Sequence, residues 1–162
     1  MIEVGSFDLD TVLHLSCKEL GTEFFSFNQR PTHFRLREFQ SKDGADEVLI
    51  SVRLLYLLEE IRRITDQSVS INSGYRTPAH NRKVGGSKNS QHVLGKAADI
   101  VVGRLHGNVG NTLKIAILAS QLGFKGIGVY PTFTHVDVRD EISRWDNTGQ
   151  HLLVSNEFYY KV

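Results

Sequence analysis

The 162 residues, 40% apolar and 23% charged, are enough for one domain whose core needs no disulfide or metal staple. A formal net charge of +1 gives no electrostatic reason to expect nucleic acid or a membrane surface as partner, so recognition must come from a local site. Cys17 is the only cysteine, which excludes an intramolecular disulfide and a thiolate-rich structural zinc site; it reads as a small hydrophobe beside a helical pattern.

The opening MIEVGSFDLD has no basic start and no apolar stretch of the secretory kind. No segment reaches the roughly 20 apolar residues that span a bilayer. The expectation is a chain made in the cytoplasm without a signal peptide and without membrane insertion. Any work outside the cell would then require another exit route.

Residues 1–33 carry a weak signal. SFDLDTVLHLSCKELG fits a short strand or helix ended by Gly21, and Phe24, Phe25, Phe27 and Pro31 suggest an irregular segment packed on the main body. We read these residues as an extension of a single domain covering 1–162. From Glu47 to Ile64 the spacing predicts a helix, with Val48, Val52, Leu55, Leu58 and Ile61 on one face and Asp43, Gly44 and Asp46 as start chemistry. SVSINS, residues 68–73, alternates like a strand and is closed by Gly74. The Pro-, Gly- and Asn-rich stretch that follows reads as loop or short helix.

AADIVV, residues 97–102, is a second strand, and GNTLKIAILASQLG predicts a helix with Asn111 as cap and Gly123 just past its end. GIGVY and FTHVDVR read as two strands joined at Pro131 and Thr132. No repeat or linker interrupts the chain. The order of elements predicts an α+β fold with a small, mainly antiparallel sheet flanked by helices.

The last strand brings chemistry. Alternation places His135, Asp137 and Arg139 of THVDVR on one face, with Val136 and Val138 turned to the core. A catalytic zinc takes three protein ligands and keeps one position open, and with one cysteine in the chain those ligands must be imidazole and carboxylate. SQHVLGKAAD, residues 90–99, supplies His92 and Asp99, and His135 completes the set. Gly95, Ala97 and Ala98 would let the backbone pass tightly by the metal. Arg76 in SGYRTP follows a strand, where its guanidinium can pair with a carboxylate. His14, His33, His106 and His151 show no partner pattern and read as surface or capping residues, and His80 lies undecided in the Arg76 loop. Gly85 and Gly86 lack the strand, helix and lysine of a phosphate-binding loop.

SGYRTPAHNRKVGGSKNSQHVLGKAADI followed by THVDVR closely resembles the zinc D-Ala-D-Ala carboxypeptidase family of peptidoglycan peptidases. That family sits in the wider group with lysostaphin-type peptidases and the hedgehog signalling domain. The motifs are the SGYR loop, the order Ser90, His92, Gly95, Ala97, Asp99, and the late His135-x-Asp137; looser similarity runs from Phe34 to Trp145. The resemblance implies Zn²⁺ on His92, Asp99 and His135, a substrate carboxylate on Arg76, and Ser90 in contact with substrate.

The sequence departs from the family in one respect. Many relatives place an acid three residues before the last histidine ligand, and Thr132 stands there. Asp137 then has two readings: general base, or the carboxylate that holds a ligand imidazole in the right tautomer. The expected activity is hydrolysis of peptidoglycan stem peptides by a monomeric zinc peptidase, as carboxypeptidase or endopeptidase, reaching the cell wall as a phage-type or prophage-type lytic enzyme released by other means or as part of a longer exported protein. The alternatives are a non-catalytic zinc-containing domain that binds muropeptides or a protein partner and, more weakly, a tail-associated structural protein of a phage.

Overall fold

β-Branched and aromatic residues build two small sheets in the first third of the chain. The computed structural model describes residues 1–103 and 109–150, so His106 and His151 lie outside the described residues. Strand β1 (Ile2–Glu3) runs parallel to β3 (Phe24–Phe27), which forms a hairpin with β4 (Arg30–Arg35). The turn residues Asn28 and Gln29 both have positive φ, 51° and 65°, which suits a tight hairpin turn. The Phe24–Phe27 stretch is thus regular strand rather than the expected irregular segment: Phe25 and Phe34 are buried, and Phe25 meets Phe39 edge-on at 6.1 Å.

β2 (Val12–Ser16) pairs antiparallel with β5 (Glu47–Ser51), Val12 opposite Ser51 and Ser16 opposite Glu47. This corrects the expected helix over residues 47–64. EVLIS alternates, with Val48 and Ile50 buried and Glu47 exposed, so period two wins once VLHLS supplies a partner. Helix α2 (Val52–Thr65) starts directly after, and Ser51 caps it by accepting the Leu54 N–H at 3.3 Å. Asp46, expected as start chemistry, instead accepts from Ser16 Oγ at 2.9 Å and the Lys18 N–H at 2.6 Å. Between the strands lie α1 (Cys17–Leu20), which buries Cys17, and a 3₁₀ turn at Leu36–Phe39.

The main sheet has the order β10-β8-β9-β7-β6, from β6 (Val69–Ser73), β7 (Ala97–Val102), β8 (Gly126–Val129), β9 (Thr134–Asp137) and β10 (Ser143–Asp146). All neighbours are antiparallel except β10 and β8. β8 and β9 form the expected pair of strands; β10 was not anticipated. Helix α3 (Pro78–Lys83) lies between β6 and β7, and α4 (Val109–Leu122) packs on β8, β9 and α2. Asn111 lies in the first turn of α4 rather than at its cap, and Gly123, at φ 102°, follows its end as expected. One cluster of buried residues runs from Val4 through Leu58 and Ile100 to Val138. The α+β class with a mainly antiparallel sheet flanked by helices is the observed one. Among the described residues no helix is long and apolar enough to cross a membrane.

Candidate metal centre

Register brings the polar residues together. Asp99 on β7 lies opposite His135 on β9, which lies opposite Gly128 on β8; in the next row of the same face Ala97, Asp137 and Gly126 are aligned. The glycines of GIGV are required by what stands beside them. A Cβ on Gly126 would come within 2.1 Å of the Asp137 carboxylate, and one on Gly128 within 2.3 Å of Trp145 Nε1. Small residues therefore open room across β8 for a buried acid and an indole.

His92 comes from the turns before β7. Its main-chain carbonyl accepts the Arg76 N–H at 3.1 Å, and its own N–H donates to Ser90 Oγ at 3.3 Å. Gly95 was expected to let the chain pass the metal, but its φ of 70° and its approach serve β5: a Cβ there would lie 2.5 Å from the Leu49 carbonyl. Ala98 turns into the core with Val136, and of the three only Ala97 shares the Asp99 face.

His92, Asp99 and His135 are all buried, and one ligand atom from each lies within 4.8 Å of the others. Asp99 Oδ1 is the shared point, 3.3 Å from His92 Nε2 and 2.9 Å from His135 Nδ1. The far nitrogens are fixed: His92 Nδ1 lies 2.7 Å from the Gly74 carbonyl and His135 Nε2 lies 2.8 Å from Asp137 Oδ2. A carbonyl only accepts, so Nδ1 of His92 carries its proton and Nε2 is left for a cation. The Gly74 carbonyl is itself held in place by close packing on Phe39, whose own carbonyl accepts the Tyr75 N–H at 2.9 Å. Two imidazoles and one carboxylate, each imidazole tied by its second nitrogen, fit a divalent transition metal.

Asp137 is fully buried and has two partners. Arg139 donates to it through Nε at 2.8 Å and Nη2 at 2.6 Å, and His135 closes the other side. Burial alone would raise the Asp137 pKa; the Arg139 and His135 hydrogen bonds outweigh it and bring it down to about 2. For Asp99 burial is again opposed, here by hydrogen bonds to His135 and His92, and its carboxyl is held well below the usual range. Burial alone would lower the His135 pKa; the Asp137 and Asp99 carboxylates on either side outweigh it and raise it above the ordinary imidazole value.

Arg76 is nearly spoken for. It donates through Nε to Ser73 Oγ at 3.0 Å, through Nη1 to Asn81 Oδ1 at 3.4 Å and through Nη2 to Asp99 Oδ2 at 3.1 Å. Of five guanidinium N–H groups, two remain for a ligand. Arg76, Ser90, His92, Asp99 and His135 all line one cleft of about 560 Å³.

The cleft's other wall was not foreseen. Tyr130 and Phe133 stack at 4.3 Å, Trp145 Nε1 donates to the Tyr130 hydroxyl at 3.1 Å, and the Trp145 ring lies 4.9 Å from the His135 ring. The chain's single tryptophan beside a basic residue was the available signal. Among the described residues Asp99 is the only acid that lines the cleft, and Thr132 does not line it. His80 lies on α3 outside the cluster, and His14 and His33 are surface residues facing Glu47 and Glu59.

Comparison with known proteins agrees with this geometry. A search of curated proteins finds no match. The family model described as Peptidase M15 matches residues 28–137, more than half of the chain and the stretch that contains Arg76, His92, Asp99 and His135. The chain belongs to the Peptidase M15 family, the family of zinc D-Ala-D-Ala carboxypeptidase-like enzymes that its motifs resemble.

Proposed function

We propose that the chain is a zinc-dependent peptidase acting on peptidoglycan stem peptides, with His92 Nε2, Asp99 and His135 Nδ1 as the metal's ligands. The observation that carries this reading is the convergence of these three buried groups at the floor of a cleft that also contains Arg76. When bound, zinc supplies a Lewis acid that polarises a peptide carbonyl and lowers the pKa of water.

The chain's own residues do the rest. Arg76 receives a substrate carboxylate with its two remaining N–H groups, while its bond to Asp99 ties substrate position to the metal's ligand. Ser90, whose Oγ is anchored on the His92 N–H, presents its hydroxyl hydrogen to the peptide. The Tyr130, Phe133 and Trp145 wall excludes water from one side. Of the two roles open to Asp137, orientation of His135 is the one supported: it binds Nε2, the nitrogen away from Asp99, and has no exposed surface.

A second reading is a non-catalytic domain that binds muropeptides or a protein. The observation in its favour is that among the described residues no carboxylate other than Asp99 lines the cleft to serve as a separate general base. Incubation of the zinc-loaded protein with purified peptidoglycan, followed by mass spectrometry, separates the two. The peptidase reading predicts new peptide termini that disappear with His92→Ala, and their identity assigns carboxypeptidase or endopeptidase. Stoichiometric zinc without new termini would establish the binding domain instead.

A further inference from the structure

A second cavity, about 320 Å³, opens at the end of the main sheet and collects cations in a chain that is nearly neutral overall. Arg53, Lys96, Lys125 and Arg139 line it, against Asp10 and Asp140. Three neighbouring strands bring them there: Lys96 stands just before β7, Lys125 just before β8 and Arg139 just after β9. Two of the cations are already matched, Arg53 by Asp10 at 2.8 Å and Arg139 by the buried Asp137. Among the described residues the ammonium groups of Lys96 and Lys125 have no hydrogen bond or ion pair, although both residues are half-buried.

The backbone adds to the same sign. Ser51 caps α2 and Arg53 lies in its first turn, so the positive end of this 14-residue helix lines the cavity through its dipole, its first N–H groups being taken by the Thr11 and Leu9 carbonyls and by Ser51 Oγ. The opposing contribution is muted: carbonyls beyond the C-terminal end of α4, those of Phe124 and Lys125, are taken by the Arg144 guanidinium. Arg139 lines both this cavity and the metal-centre cleft, so the two adjoin.

We propose that this cavity is an oxyanion-binding site, taking a carboxylate or phosphate group between Lys96 and Lys125, with the α2 N-terminus behind it. Two unmatched ammonium groups at partial burial are worth more to an anion than the same charges on open surface, because water screens them less. The site stands whether or not the chain is a peptidase. It has two sources of ligand: a free anion, or a second anionic group of the molecule whose first carboxylate meets Arg76.

Titration of the zinc-loaded protein with inorganic phosphate, followed by amide NMR, tests the site directly. The expected result is saturable shifts at Lys96, Lys125 and Ser51, weakened by added salt. Affinity should fall about five- to tenfold in Lys96→Ala/Lys125→Ala and be retained in Lys96→Arg/Lys125→Arg. Neither lysine side chain has a partner to lose, and a melting curve checks that both variants fold. A stem peptide with a free D-isoglutamate α-carboxylate, compared with its amidated form, separates the sources. Preference for the free acid that vanishes in the alanine variant assigns the site to substrate; phosphate binding without that preference assigns it to a free anion. Absence of shifts at these residues with both probes, or equal phosphate affinity in the alanine variant, would overturn the proposal.

Discussion

His33 and His135 each face a carboxylate, and the surface pair is the closer one. His33 Nδ1 lies 2.6 Å from Glu59, whereas His135 lies 2.9 Å from Asp99 and 2.8 Å from Asp137. What differs is the surroundings: the His33 side chain is 55% exposed and has one acid, while that of His135 is 9% exposed and has an acid on each nitrogen and a second imidazole beside it. Distance alone does not make a site. Water screens an exposed pair to little net value, while a buried cluster costs desolvation and so is kept only where every group is matched or a cation completes it.

This contrast can be broken from the strong side first. Alanine at His92, Asp99 or His135 should remove zinc binding under conditions where the wild-type protein is saturated, a loss beyond the roughly 100-fold that outer partners control. Equilibrium dialysis with metal analysis reads this, and a stoichiometric zinc in any of the three variants would refute the ligand set. Asp137→Asn should weaken zinc about 10- to 100-fold, with turnover restored by excess zinc. Turnover lost at normal zinc affinity would instead make Asp137 the base.

Arg76→Ala should raise KM about tenfold or more, the weight of a charge-assisted hydrogen bond, and Arg76→Lys should not rescue it because the forked contact to Ser73, Asn81 and Asp99 needs a guanidinium. An unchanged KM on stem peptides would remove the carboxylate role. At the weak end, His33→Ala should cost no more than about 1 kcal/mol in a denaturant melt and leave zinc content untouched. A larger loss would mean that exposure is a poor guide to the worth of these pairs.

Much of the main sheet and of the cluster was legible because its signals are local. SVSINS, AADIVV and THVDVR each carry their own alternation, and register then follows from one buried face. The clustering of His92, Asp99 and His135 was legible because one cysteine directs attention to imidazole and carboxylate, and three motifs occur in order. What escaped depends on partners far along the chain. EVLIS satisfies both the helical and the strand period, and only pairing with VLHLS, some 35 residues earlier, decides for strand. SRWD is four residues of mixed polarity, and it becomes β10 because β8 offers a parallel edge with room at Gly128 for Trp145. The function of Gly95 escaped for the same reason, since its neighbour Leu49 is remote in sequence.

The most direct test of the account is the zinc K-edge absorption spectrum of the zinc-loaded protein. Two imidazoles and a carboxylate predict a shell of nitrogen and oxygen scatterers at about 2.0–2.2 Å, with the ring signature of two histidines that falls to one in His135→Ala. A sulfur scatterer at about 2.3 Å, which only Cys17 or Met1 could supply, or a spectrum unchanged in His135→Ala, would contradict it.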